Sequence, residues 1–180
     1  MIRIAIVGDI GSGKSHVAKQ FGYPVFNADK EVSQIYKKSR KCYIKLKKAL
    51  PNYITSFPVK KKKILEAIYE SQNNLKKIIK IIHPEVRKKM NIFVKKNKNK
   101  KIIILDIPLL IENKINKKND ILIFVDAKKN KINKKLKKRA GVNDVVLKKF
   151  KKLQLPVEIK KKKSDFIIQN NFRKDSVKKD

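Results

Sequence analysis

Near the start of the chain, Gly8-Asp9-Ile10-Gly11-Ser12-Gly13-Lys14-Ser15 satisfies every fixed position of the pattern G-x-x-x-x-G-K-[ST]. Each residue type there answers a demand of phosphate chemistry. Glycines let backbone N–H groups approach phosphate oxygens in conformations that a Cβ obstructs, and a helix starting at the end of the loop adds a partial positive charge. Lys14 then reaches the β and γ phosphates of ATP, and the Ser15 hydroxyl becomes a ligand of Mg²⁺. The ATP-binding set is Gly8, Gly11, Ser12, Gly13, Lys14 and Ser15. His16 is counted beside them, as a residue of the first helical turn without catalytic duty. Asp106 ends an apolar run, where a carboxylate can hold a water on Mg²⁺, so Ser15 and Asp106 are the expected metal residues. A guanine reader of the form Asn-Lys-x-Asp is not completed. Its nearest candidate, Asn116-Lys117-Lys118-Asn119, lacks the final acid, which argues against a GTPase.

Such a loop works only between a strand that ends beneath it and a helix that starts beyond it. Ile2 to Val7 is a near-continuous apolar run, the mark of a strand covered on both faces of a parallel sheet. The signature returns at 102–107, 121–125 and 166–168, and a short second strand is expected at 24–26. Between them lie helical periods. Leu75, Ile78, Ile79 and Ile82 form one stripe, and Val86, Met90, Phe93 and Val94 form another that Pro84 is expected to start. Val146, Leu147, Phe150 and Leu153 form a third, preceded by Gly141 as a helix stop and Asn143 as a cap. Strands alternating with helices predict an α/β fold with an open parallel sheet flanked by helices. A helical insertion of about 37–100 separates the second and third strands. The lysine runs Lys60 to Lys63 and Lys160 to Lys163 read as exposed helix ends or loops.

Composition bounds the rest. At 180 residues with 41% hydrophobic content, the chain suits one folded unit with its own core, despite 36% charged residues. The apolar run from Ile102 to Ile111 is broken by Asp106 and Pro108 and is too short to cross a bilayer, so no membrane association is expected. The opening residues run straight into the glycine loop without a small-residue cleavage site, unlike a secretory signal. Cys42 is the only cysteine, which excludes an internal disulfide and agrees with a reducing cytoplasm. The net charge of +34 invites a nucleic-acid reading. Only Arg3, Arg40, Arg87, Arg139 and Arg173 of the 49 basic residues are arginine, however, and the lysines are spread along the chain without interleaved aromatics. A solvated lysine-rich surface is expected, with no specific nucleic-acid partner. Tight sequence-selective binding of duplex DNA or RNA would overturn that.

Several segments together resemble the dephospho-CoA kinase family. They are the loop at 8–15, then Val25-Phe26-Asn27-Ala28-Asp29, His83-Pro84, Asp106-Ile107-Pro108-Leu109-Leu110-Ile111-Glu112, and Gln154-Leu155-Pro156 through Lys160 to Asp165-Phe166-Ile167-Ile168-Gln169-Asn170. They occur in the family's order and cover most of the chain. The resemblance implies transfer of the ATP γ-phosphoryl group to the 3′-hydroxyl of the dephospho-CoA ribose. It implies a nucleotide-kinase-like P-loop fold, with a helical CoA-binding insertion and a lid at about 134–163. Asp29 matches the family's catalytic acid, and a carboxylate just past the second strand could accept the hydroxyl proton; taken alone, it could equally cap the following helix. Lys14 and Arg139 complete the catalytic set, Arg139 from the lid beside Lys135 and Lys138. Asp29, His83, Pro108 and Leu109 are carried over to the acceptor, dephospho-CoA, and Asn170 to ATP. Three departures stand out. Asn27 replaces the first acid of the family's aspartate-alanine-aspartate segment, Lys135 stands where the family often has arginine, and the segment after Asn170 is shorter than the family's long final helix. Another small-molecule or nucleoside kinase, or a basic RNA-binding protein on the same scaffold, would share the loop alone.

Overall fold

The uninterrupted apolar runs become the centre of a parallel sheet. The structure, a computed structural model, describes residues 1–137 and 144–172. Its strands are β1 (Ile2–Gly8), β2 (Val25–Asn27), β3 (Ile102–Asp106), β4 (Ile121–Asp126) and β5 (Phe166–Gln169). They lie in the order β2-β3-β1-β4-β5, every neighbouring pair parallel. β1 is buried from Arg3 to Gly8, with only its first residue, Ile2, exposed, and β3 and β4 are nearly as enclosed, so both faces are covered as the apolar runs predict. On one face helix α1 (Lys14–Gln20) inserts Val17 and Ala18 against Ile4, Ile6, Ile104, Ile123, Val125 and Ile168. β2 begins one residue later than expected and ends on Asn27, which brings Asn27 into register with Asp106. β1 has β3 on one side and β4 on the other, and the chain leaves it through α1 toward β2. Outside the carboxyl ends of such central strands lies the crevice where open α/β sheets take ligands. The opposite rim is clamped by a buried two-pronged ion pair, Arg3 Nη2 and Nε each 2.9 Å from a carboxylate oxygen of Asp120.

The chain divides into two compact units. The sheet unit takes Met1–Asn27 and the described parts of Val94–Ala140 and Lys151–Asp180, including helices α6 (Lys129–Lys137) and α8 (Val157–Lys162). The helical unit takes Ala28–Phe93 with α2 (Ala28–Lys38), α3 (Arg40–Ala49), α4 (Lys61–Glu70) and most of α5 (Gln72–Lys96), together with α7 (Asp144–Lys151) up to Phe150. Within it, Ser39 caps α3 by accepting from the Cys42 amide at 3.2 Å. Lys149 of α7 donates to the carbonyls of Ile68 (2.8 Å) and Tyr69 (2.5 Å) at the end of α4, where a cation meets the negative end of the helix dipole. No helix among the described residues is long and apolar enough to cross a membrane.

Pro84 does not start a helix. It lies inside α5, a continuous 25-residue helix, because the buried positions Leu75, Ile78, Ile82, Val86 and Met90 keep one apolar face running past it. The ring faces solvent, as does Lys80 one turn earlier, so the carbonyl that loses its donor can be hydrated. Gly141 and Asn143 lie outside the described residues, and Leu153 falls beyond the end of α7.

His83, beside that proline, is half-buried, and its imidazole is held below the ordinary histidine value, first by burial and second by the charge of Arg87. A base whose folded value is depressed binds more protons in the unfolded chain, so its contribution to stability is lost as pH falls through about 6.5 toward the folded value. In thermal unfolding across that interval, His83→Gln should lose less stability on acidification than the parent chain. Parallel curves for the two would remove His83 from the acid response.

Candidate active site

β1 ends at Gly8 and α1 begins at Lys14, so the intervening loop must turn within five residues. Two glycines make that turn possible. A Cβ at Gly8 would stand 2.8 Å from the Val125 carbonyl oxygen of the neighbouring strand. Gly13 caps α1 with φ at +95°, in the left-handed region, and a Cβ there would be driven onto the Asn170 side-chain amide. Gly13→Ala should therefore destabilise the fold by ~1–3 kcal/mol and weaken ATP binding, read by thermal unfolding and calorimetry. A variant that melts and binds like the parent would contradict this account of the loop. Gly11 meets the side chains of Ile132 and Leu136, so α6 packs directly on the loop.

Lys14 lies across the loop, its ammonium donating to the carbonyls of Asp9 (2.8 Å) and Gly8 (3.3 Å). The carboxylate of Asp106 closes β3 and is almost fully buried. Asn27, paired with it across the sheet, donates from Nδ2 to Asp106 Oδ2 at 2.5 Å and to Ser15 Oγ at 3.4 Å. One amide thus gathers the two expected metal residues. The family acid replaced by Asn27 would accept hydrogen bonds, whereas Asn27 donates them, and this is how the contact is remade. Two hard oxygen donors would suit Mg²⁺. Among the described residues no group of three or more His, Cys, Asp or Glu could hold a metal.

The other expected site residues distribute unevenly. Asn170 is buried behind the loop, donating to the Ser12 carbonyl (2.8 Å) and accepting from the Phe172 amide (2.9 Å), so it braces the loop from within the protein. His16 is exposed on α1. Asp29 is exposed in the first turn of α2, two residues along the chain from Asn27. Asp29 and His83 belong to the helical unit, and Pro108 and Leu109, in the turn that follows β3, to the sheet unit. Lys135 stacks on the Phe172 ring at 4.4 Å. Lys138 and Arg139 lie outside the described residues.

Lys160 reverses an expectation. Instead of pointing into solvent with the rest of its run, it is only 2% exposed. Its ammonium donates to Gln154 Oε1 (3.1 Å) and to the Gly8 carbonyl (3.4 Å), and Glu112 Oε1 stands 3.8 Å away. Burial holds this lysine below its ordinary value, against the opposing charges of Glu112 and Asp9. Helix α8 is short and rotated so that Lys160 takes the inward place while Ile159 faces out. Four lysines in a row concealed that choice. The available signal was the glutamine six residues before Lys160 and the glutamate after the proline-leucine-leucine segment.

A family model described as dephospho-CoA kinase matches residues 2–175. The dephospho-CoA kinase of Bartonella quintana (strain Toulouse) is 33% identical over 170 residues, covering 92% of this chain and 87% of that one. That of Wolbachia sp. subsp. Brugia malayi (strain TRS) is 31% identical over 179 residues, covering 97% and 91%. Among solved structures, a Thermus thermophilus protein superposes with a TM-score of 0.73 at 22% identity, and the dephospho-CoA kinase of Campylobacter jejuni with 0.61 at 21%. Each covers 98% of this chain and 92% of its own, a likeness of fold.

Proposed function

Because this chain belongs to the dephospho-CoA kinase family, we propose that it transfers the γ-phosphoryl group of ATP to the 3′-hydroxyl of the dephospho-CoA ribose, releasing coenzyme A and ADP, the last step of coenzyme A biosynthesis. The observation that carries the reading is the loop itself. An ammonium on the Gly8 and Asp9 carbonyls and the oxygens of Ser15 and Asp106, joined by the Asn27 amide, surround a glycine turn at the carboxyl ends of the sheet. Phosphoryl transfer asks little covalent chemistry of a protein; it asks for charge and alignment. Lys14 turns from the loop carbonyls to the β and γ phosphates and neutralises charge that grows as the group transfers. The Ser15 hydroxyl and Asp106 carboxylate would hold Mg²⁺, which would supply positive charge to the phosphates there. Asp29 accepts the proton of the ribose hydroxyl as it attacks phosphorus, and Arg139 covers the transferring phosphate from the lid. His83, Pro108 and Leu109 contact the acceptor. Asn170 serves ATP through the loop it braces.

The same reading places the enzyme in the cytoplasm, in keeping with its single, buried and unpaired cysteine. The deciding experiment is ADP release from ATP and Mg²⁺ with candidate acceptors added singly. Release stimulated by dephospho-CoA, together with a product whose mass carries one added phosphate, is expected. Stimulation by a nucleoside and not by dephospho-CoA would transfer the loop to a different acceptor class.

A further inference from the structure

Lys160 is a buried cation for which the proposed reaction has no use. Its surroundings are those of a fixed strut. Gln154 Oε1 and Glu112 Oε1 hold the ammonium from the segment before α8 and from the turn after β3, and the third direction points at the Gly8 carbonyl under the phosphate loop. That carbonyl already receives Lys14. Two ammonium groups therefore share one buried acceptor, one of them held in place from behind and the other on a side chain that must reach the nucleotide. A buried carbonyl deserted by its donor is costly, and two like charges on one oxygen repel each other. Both effects act in the same direction on Lys14.

We propose that Lys160 is a positioning residue of the ATP site, which keeps the Gly8 carbonyl paired and pushes Lys14 outward, so that Lys14 can leave the loop for the phosphates. The inference rests on the reading of this loop as the ATP cradle. Glu112, at 3.8 Å, balances the charge without capturing it, and Glu112 also accepts from the Leu155 amide (3.0 Å), which fixes the segment carrying Gln154. The strut therefore ties α8 and the turn after β3 to the residue where β1 becomes the loop.

The test is K160M in the full chain, a substitution of similar length without charge. Calorimetric titration with ATP and Mg²⁺ is expected to show binding about tenfold weaker than the parent's, the size of effect that goes with losing a charge-assisted hydrogen bond. Turnover at saturating ATP should stay within about threefold, and KM for the acceptor should not move. A lysine that only stabilised the fold would lower the unfolding temperature and leave ATP affinity where it was, and that result overturns the proposal. Should K160M fail to fold, Q154L decides: removing the partner that aims the ammonium is expected to weaken ATP binding by roughly threefold, and unchanged affinity rejects the strut. ATP affinity is read without an acceptor. A parent chain that binds ATP but does not phosphorylate dephospho-CoA would thus defeat the proposed reaction and leave this inference standing.

Discussion

Asp29→Asn is expected to lower turnover with dephospho-CoA by roughly 10²–10⁴ while ATP binds as before, the range in which a positioned general base works. Asparagine keeps the shape of the side chain and its ability to hydrogen-bond, and it removes only the capacity to take a proton. Position supports the choice. Asp29 stands in the first turn of α2, two residues after the amide that joins Ser15 to Asp106, and its side chain is open to solvent. A purely structural role makes a different forecast. Acids in a first helical turn interact with the helix dipole for ~0.3–1 kcal/mol, so Asp29→Asn would then cost a little stability and no rate. Measuring kcat, ATP affinity by calorimetry and the unfolding temperature on one preparation separates the two. A normal kcat with a slightly lowered unfolding temperature would assign Asp29 to the helix.

Lys14→Ala is expected to reduce turnover by about 10²–10³, as the loss of a donor aimed at developing charge does in other enzymes. The loss should fall on kcat more than on KM for the acceptor, since in the proposed reaction the ammonium would serve the transferring phosphate and not the ribose. The loop itself should survive. Its turn rests on Gly8 and Gly13, on the Ser12 amide donating to the Asp9 carbonyl at 3.2 Å, and on the Asn170 brace. Full turnover in Lys14→Ala would detach the chemistry from this loop.

Much of this was legible in the residues. A glycine loop of fixed spacing demands a strand before it and a helix after it, so the place of the loop from Gly8 to Ser15 between β1 and α1 could be read from the spacing. Doubly covered strands announce themselves as apolar runs, and β1, β3 and β4 lie where those runs lie. Pro84 misled because a local rule about proline competes with the apolar face of α5, and an exposed ring on a well-packed helix lets the face prevail. The Asn27 contact with Asp106 joins residues 79 apart, and nothing local reports such a pair. It needs the sheet order, which places β2 next to β3. Lys160 was hidden for another reason: in a chain this rich in lysine, composition carries no information about which one turns inward.

The amide of Asn27 also bears on the order in which ligands arrive. With a neutral donor against Asp106, Ser15 and Asp106 would offer a bare divalent cation one hydroxyl and one carboxylate, little charge with which to strip and retain a strongly hydrated ion. On the proposed reaction, a divalent cation would therefore arrive with the triphosphate and not alone.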